Sequence, residues 1–334
     1  MRNCIKYKSI DILEKGYGIS LRLLERYAKD KYPELSRKEA LLLYISILVL
    51  KCEGKLIMNH PEYHMNEQLK LNKIINKTII IDNKTYYLDY ITEEDCSFEL
   101  TEDEKKVICQ LKNDFLESDR LHKHVQFLYK FGSMYLCCNN TLLYHGCIPF
   151  ESNGHFAKMK FEEKIYSGKA LLDYFDKQVR EAYFQKKEYA IDLMFYLWSG
   201  YHSPLSGRKL KSFERFFIND STLWIEARNP YYELYNQEDI CNQIMTEFNM
   251  NIKTTHIVNG HTPVKRNESP IRSNGKVIII DGGFCKNYQR ETGIAGYTLI
   301  SNSHGLRLKA HTPFKGVERV LNINSDIHSS SQDI

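Results

Sequence analysis

A chain of 334 residues, 43 % hydrophobic and 26 % charged, can bury a sizeable core as one large or two ordinary domains, which excludes a disordered or fibrous protein. Its 46 basic and 42 acidic residues leave a net charge of +4, too mild to indicate a nucleic-acid partner. No apolar run approaches the ~18 residues of a bilayer span, so a membrane is not expected either. The basic residues near the start are not followed by an apolar stretch, which reads as no signal peptide. Nine cysteines, an odd number with no C-x-x-C pair, read as reduced thiols in a cytoplasmic protein.

Ser36-Arg-Lys-Glu39 is a capping box, and the run from Ala40 to Leu50 after it predicts a helix buried nearly all round. The stretch from Thr78 to Leu88 predicts a hairpin turning at Asn83-Lys84. Thr101-Glu-Asp-Glu104 opens a second helix, with Val107, Leu111 and Phe115 on one stripe. Ser133 to Cys138 and Thr141 to Tyr144 flank Asn139-Asn140, residues that tolerate the positive φ of a two-residue turn. Further helices are expected near Lys169 to Gln185 and Glu238 to Phe248. Strands are expected at His256 to Val258 and Lys276 to Ile280, and a last hairpin joins Tyr297–Ser301 to Leu306–Ala310 through Asn302 to Gly305. The fold class is α+β. Residues 1–130 form a mainly helical region with a small hairpin, 131–315 a strand-rich region, and 316–334 a polar tail.

Three hydrophobic strands stop abruptly at polar or glycine corners: His145-Gly146-Cys147, Asn259-Gly260-His261-Thr262-Pro263 and Asp281-Gly282-Gly283. A side chain just past a strand is held by the sheet, and an adjacent glycine leaves room for an ion or phosphate. Neutral imidazole is the commonest protein metal ligand, which makes His145 and His261 candidates; ordinary turn residues are the alternative at each corner, Asp-Gly included. A small-residue loop from Trp198 ends in Arg208 and Lys209, a composition that suits a phosphorylated ligand or a solvated loop equally. Lys265, beside the His261 corner, reads both ways too. Asn59-His60-Pro61-Glu62, Asp326-Ile327-His328 and His311-Thr312-Pro313 imitate ligand motifs but lack their glycine context or lie in the tail, and are set aside. P-loop, dinucleotide-binding and nucleophile-elbow signatures do not occur.

Longer strings carry a family resemblance. Phe131-Gly-Ser-Met-Tyr135, Leu143-Tyr-His-Gly-Cys-Ile-Pro149, Ile257-Val-Asn-Gly-His-Thr-Pro-Val-Lys265, Ile280-Asp-Gly-Gly-Phe284 and Thr292-Gly-Ile-Ala-Gly-Tyr-Thr-Leu-Ile300 resemble class III fructose-1,6-bisphosphatases of Gram-positive bacteria. The resemblance extends over essentially the whole chain. It implies a calcineurin-like metallophosphatase β-sandwich flanked by helices, of which this chain carries a C-terminal part preceded by a largely helical insertion. It also implies a dinuclear centre, usually manganese (Mn2+), with His145 and His261 as ligands. Gly146, Asn259, Gly260, Asp281, Gly282 and Gly283 would line the site, and Arg208, Lys209 and Lys265 would face a substrate phosphate. No catalytic residue is assigned.

The implied reaction is hydrolysis of the C1 phosphate of fructose 1,6-bisphosphate to fructose 6-phosphate in gluconeogenesis. The family's Gly-Asp-x-x-Asp and Gly-Asn-His motifs do not occur here, and its Asp-x-His is echoed only by Asp326-Ile327-His328. The expectation is therefore a truncated or split C-terminal portion partnered by a separately encoded N-terminal half, with homo-oligomers compatible. The other reading is an inactive remnant that serves as a binding or subunit-interaction piece. A sandwich short of strands should also expose unpaired edges and apolar faces.

Overall fold

The computed structural model describes residues 10–286, 288–314, 316–322 and 329–334, and their fold is α+β. The chain divides into two units, Met1–Gly132 with Leu210–Ala227, and Ser133–Lys209 with Arg228–Ile334.

The first unit contains α1 (Arg22–Lys31), α2 (Arg37–Asn59), α3 (Glu102–Glu117) and α4 (Asp119–Phe131), with the hairpin of β1 (Thr78–Ile81) and β2 (Lys84–Tyr87). Both capping boxes form. The Glu39 amide donates to Ser36 Oγ and the Ser36 amide to the Glu39 carboxylate; Thr101 and Glu104 repeat the exchange at α3. α2 is buried on most of its surface, as its apolar run requires. Register pairs Ile81 with Lys84, so the hairpin turns at Asp82-Asn83, one residue earlier than expected. Both turn residues have positive φ, 49° and 63°, which Asp and Asn accept more readily than Lys. The segment Leu210–Ala227, placed by its sequence in the strand-rich region, joins this unit. There Phe213 and Ile218 are buried in the same core as Leu41, Leu48, Val107 and Leu111.

The second unit opens with β3 (Tyr135–Cys138) and β4 (Thr141–Tyr144), turned by Asn139-Asn140 with φ of 47° and 54°. It continues through the small hairpin of β5 (Met159–Phe161) and β6 (Lys164–Tyr166) and the helices α5 (Gly168–Arg180), α6 (Glu188–Ser199) and α7 (Glu238–Glu247). With β7 (His256–Asn259), β8 (Ile271–Arg272) and β9 (Val277–Ile279), the first two strands form a five-stranded sheet in the order β3-β4-β7-β9-β8. Its three central strands are parallel and its edges antiparallel. A second sheet, β10 (Gly296–Asn302), β11 (Gly305–His311) and β12 (Ser329–Asp333), packs on it through Val258, Ile278 and Leu308. In the tail, Val317–Asn322 is helical and β12 pairs with β11.

The set-aside motifs serve local structure where they are described. His60 Nδ1 lies 2.9 Å from Glu62 Oε1 with its ring stacked on Tyr63, and His311 lies in β11 with Nε2 2.8 Å from Thr298 Oγ1. Asp326-Ile327-His328 lies outside the described residues.

Candidate metal centre

Because β4, β7 and β9 run parallel in matched register, with Tyr144 opposite Asn259 and Asn259 opposite Ile279, they end at one level. The residues after them therefore meet at the carboxyl end of the sheet, where open α/β-type sheets place ligands. Backbone bonds fasten the three corners together. The Gly260 amide donates to His145 O (2.9 Å), Ile280 to Asn259 O (2.9 Å) and Val264 to Asp281 O (3.0 Å).

The two histidines, 116 positions apart in sequence, come into contact. His145 Nε2 lies 3.1 Å from His261 Nδ1, with the rings edge to face and their centroids 5.0 Å apart. His261 has φ of 66°, a left-handed conformation that is uncommon for a non-glycine residue and concentrates at functional sites. Burial, then the Arg208 guanidinium and His145, push its pKa down to about 4. Desolvation also lowers His145, with the Asp281 carboxylate pulling the other way. At neutral pH both rings are uncharged, the state in which imidazole ligates a metal.

The surroundings hold this pair in place. Asn259 is buried and donates from Nδ2 to Gly146 O (3.1 Å) and to the Tyr231 hydroxyl (2.7 Å), which in turn meets the Tyr144 hydroxyl at 2.7 Å. A Cβ on Gly146 would lie 2.5 Å from Pro204 O, so only glycine fits there. A Cβ on Gly260 would meet only ordinary contacts, His145 O at 3.7 Å and Asp281 Cβ at 3.9 Å. Asp281 Oδ1 accepts the Gly283 amide (2.9 Å), and Gly282 abuts Gly296 at the start of β10. Arg208 donates to Thr262 Oγ1 (3.1 Å), next to His261, and its buried Nε has no partner among the described residues.

The structure thus gathers His145, His261, Gly146, Asn259, Gly260, Asp281, Gly282, Gly283 and Arg208 around one corner. Of the other two residues expected at a substrate phosphate, the Lys209 ammonium sits 5.4 Å over the Tyr201 ring and Lys265 is exposed. Sequence reasoning missed Tyr231 and Asn229. The Asn229 Oδ1 accepts the amides of Phe150 and Tyr231, both at 3.0 Å, and Asn229-Pro230 reads in the sequence only as the start of a turn. Among the described residues no cluster of three or more His, Cys, Asp or Glu is placed to hold a metal. Two imidazoles are the nitrogen part of a metal site, and a dinuclear centre also needs bridging carboxylates. The donors among the described residues do not fit a two-metal centre by themselves.

A sequence model of the Firmicute fructose-1,6-bisphosphatase family matches residues 1–334. Among curated proteins, the class 3 fructose-1,6-bisphosphatase of Clostridium botulinum (strain Langeland) is 42 % identical over an alignment covering 99 % of this chain and 54 % of the relative. One from Clostridium beijerinckii is 42 % identical over 99 % of this chain and 55 % of its own length. The chain spans about half the length of the curated relatives it matches. The alignments run to 364 positions, so the relatives also hold residues inside the matched span that this chain lacks. No solved structure matches. The paired corner histidines thus stand in a chain that belongs to the Firmicute fructose-1,6-bisphosphatase family.

Proposed function

We propose that this protein serves the hydrolysis of the C1 phosphate of fructose 1,6-bisphosphate, as a C-terminal portion of a class 3 enzyme whose metal centre is completed by groups outside this chain. The observation that carries this reading is the His145–His261 pair, neutral and in contact at the common end of three parallel strands, in a chain of this family. The relatives named class 3 fructose-1,6-bisphosphatase extend over nearly twice this length, which leaves room for the missing donors. Manganese is the ion we propose for the completed centre, where a metal would supply the Lewis acidity that phosphate ester hydrolysis uses. Arg208, beside His261 and with a spare Nε–H, is suited to hold a phosphoryl oxygen in the bidentate way arginine favours. A cytoplasmic location belongs to the same reading, supported by eight described cysteines that are all free. No described helix is long and apolar enough to cross a membrane.

The test is phosphate release from fructose 1,6-bisphosphate with Mn2+ present. It is run on this chain alone and on this chain co-produced with the part of the Clostridium botulinum enzyme outside the matched span. The complemented preparation should turn over, and His145→Ala or His261→Ala should each lower its rate by about 100-fold or more. A complemented preparation that releases no phosphate, or variants that keep the parent rate, would sink the proposal.

A further inference from the structure

We infer that Arg228 is a specificity residue of this corner: it holds the second phosphate of a sugar bisphosphate whose first phosphate lies at Arg208 and the histidines. The inference rests on the functional reading just given and adds the residue that selects bisphosphates over monophosphates.

Arg208 and Arg228 lie opposite each other in an isolated antiparallel bridge, closed by the Asn229 amide, which donates to Gly207 O at 2.8 Å. The chain leaves the second unit after Lys209 and returns to it at Arg228, so the bridge joins the two ends of that excursion. Residues opposite one another in an antiparallel pair have Cα atoms about 4.5–5.5 Å apart and side chains on the same face. Two guanidinium groups therefore leave the backbone side by side, an arrangement in which like charges repel.

Among the described residues neither arginine forms an ion pair. Glu226, just before Arg228, pairs with Arg215 instead, and Glu268 pairs with Arg272. The backbone beneath the two cations is braced. The Tyr201 hydroxyl donates to Arg228 O at 3.2 Å, and the buried Asn229 is anchored by accepting the Phe150 and Tyr231 amides. Two cations are thus fixed next to each other without counter-ions of their own. A phosphorylated ligand supplies both the charge and the acceptor oxygens that this frame lacks.

The two arginines differ in what they face. Arg208 is turned to the corner, where it donates to Thr262 Oγ1 with its Nε buried. After burial, the charges of Arg208 and, less strongly, Arg228 help to lower the His261 pKa, so both lie within electrostatic reach of that ring. Arg228 is exposed, and its guanidinium makes no hydrogen bond among the described residues. A sugar whose reacting phosphate meets Arg208 therefore extends outward past Arg228. A second phosphate on that sugar pairs the outer guanidinium; a monophosphate leaves it bare beside a like charge. A site built to bond a group discriminates against the analogue that lacks it.

The experiment measures equilibrium binding to this chain, with no metal added, of fructose 1,6-bisphosphate and of fructose 1-phosphate, which lacks the second phosphate. The bisphosphate should bind at least about tenfold more tightly. Arg228→Gln should weaken the bisphosphate by about tenfold and fructose 1-phosphate by less than about twofold, whereas Arg208→Gln should weaken both. Because Arg228 sits opposite a like charge, Arg228→Gln should keep or raise the free chain's melting temperature, which loss of a structural contact would lower. Four results would overturn the inference: neither sugar phosphate binds, Arg228→Gln binds the bisphosphate like the parent, it weakens both ligands equally, or it lowers the melting temperature. Phosphate release by the complemented preparation separates the two proposals. Binding that depends on Arg228 without turnover keeps the subsite and removes the activity; turnover in which Arg228→Gln leaves the KM for the bisphosphate unchanged does the reverse.

Discussion

At the scale of single residues, His261 combines a left-handed backbone, a neighbouring imidazole and a guanidinium, and all three bear on its proton. Its folded-state pKa of about 4 lies below the ordinary imidazole value of about 6.5. Above pH ~6.5 neither the folded nor the unfolded chain binds that proton, so this residue adds no pH dependence there. As the pH falls from ~6.5 toward ~4 the unfolded chain takes the proton up and the folded chain does not, so the metal-free protein loses stability across that window. Urea midpoints measured between pH 7 and 4 should fall accordingly. His261→Asn tolerates the left-handed backbone and cannot titrate, and it should flatten part of the slope; an unchanged slope would show that His261 is not the group responsible. Both corner histidines were legible in the sequence because strand, glycine and histidine are adjacent in it. Tyr231 and Asn229 were not, because a tyrosine that hydrogen-bonds a distant asparagine carries no local signature.

At the scale of elements, the capping boxes and the Asn139-Asn140 turn were readable because each is settled by residues within three or four positions of one another. The pairing of α2 with α3 was not. Lys51 is fully buried in α2, and its ammonium meets both oxygens of Glu104, at 2.9 and 3.0 Å. The Glu104 carboxylate therefore caps α3 and neutralises a cation 53 positions away, a partnership that linear spacing does not announce. Breaking a buried pair on one side strands a charge and costs about 3–5 kcal/mol, whereas replacing both partners by neutral groups is often close to neutral. Glu104→Gln, which keeps a carbonyl oxygen to cap the helix, should therefore destabilise the first unit by about that amount. Lys51→Met added to Glu104→Gln should restore most of the loss. Denaturant titration of the two variants checks this, and a double variant no more stable than the single one would place the cost in the cap rather than in the charge.

At the scale of the whole molecule, local pattern gave the α+β class but not which core each segment enters. Leu210–Ala227 follows a loop and contains a short helix like others in the chain, and only packing shows that Phe213 and Ile218 belong with the first unit. β12 is a polar run of Ser-Ser-Ser-Gln-Asp with no alternation, and it becomes a strand because β11 offers an edge and Arg307 a partner for Asp333. The second unit packs a three-stranded sheet on a five-stranded one, and among the described residues its corner pairs two imidazoles without a cluster of three or more metal-ligating groups. The proposed completion of the metal centre by groups outside this chain becomes a measurable quantity through linkage. A partner that binds only the folded second unit at 100 times its Kd adds about 2.7 kcal/mol, which for a unit of this size is a rise of about 5–10 °C in the corresponding melting transition. Calorimetry of this chain against increasing concentrations of the Clostridium botulinum segment should show that rise, dependent on concentration. A transition that stays put at saturating segment would mean that the segment does not bind the folded second unit, and the proposed completion of its corner would fall.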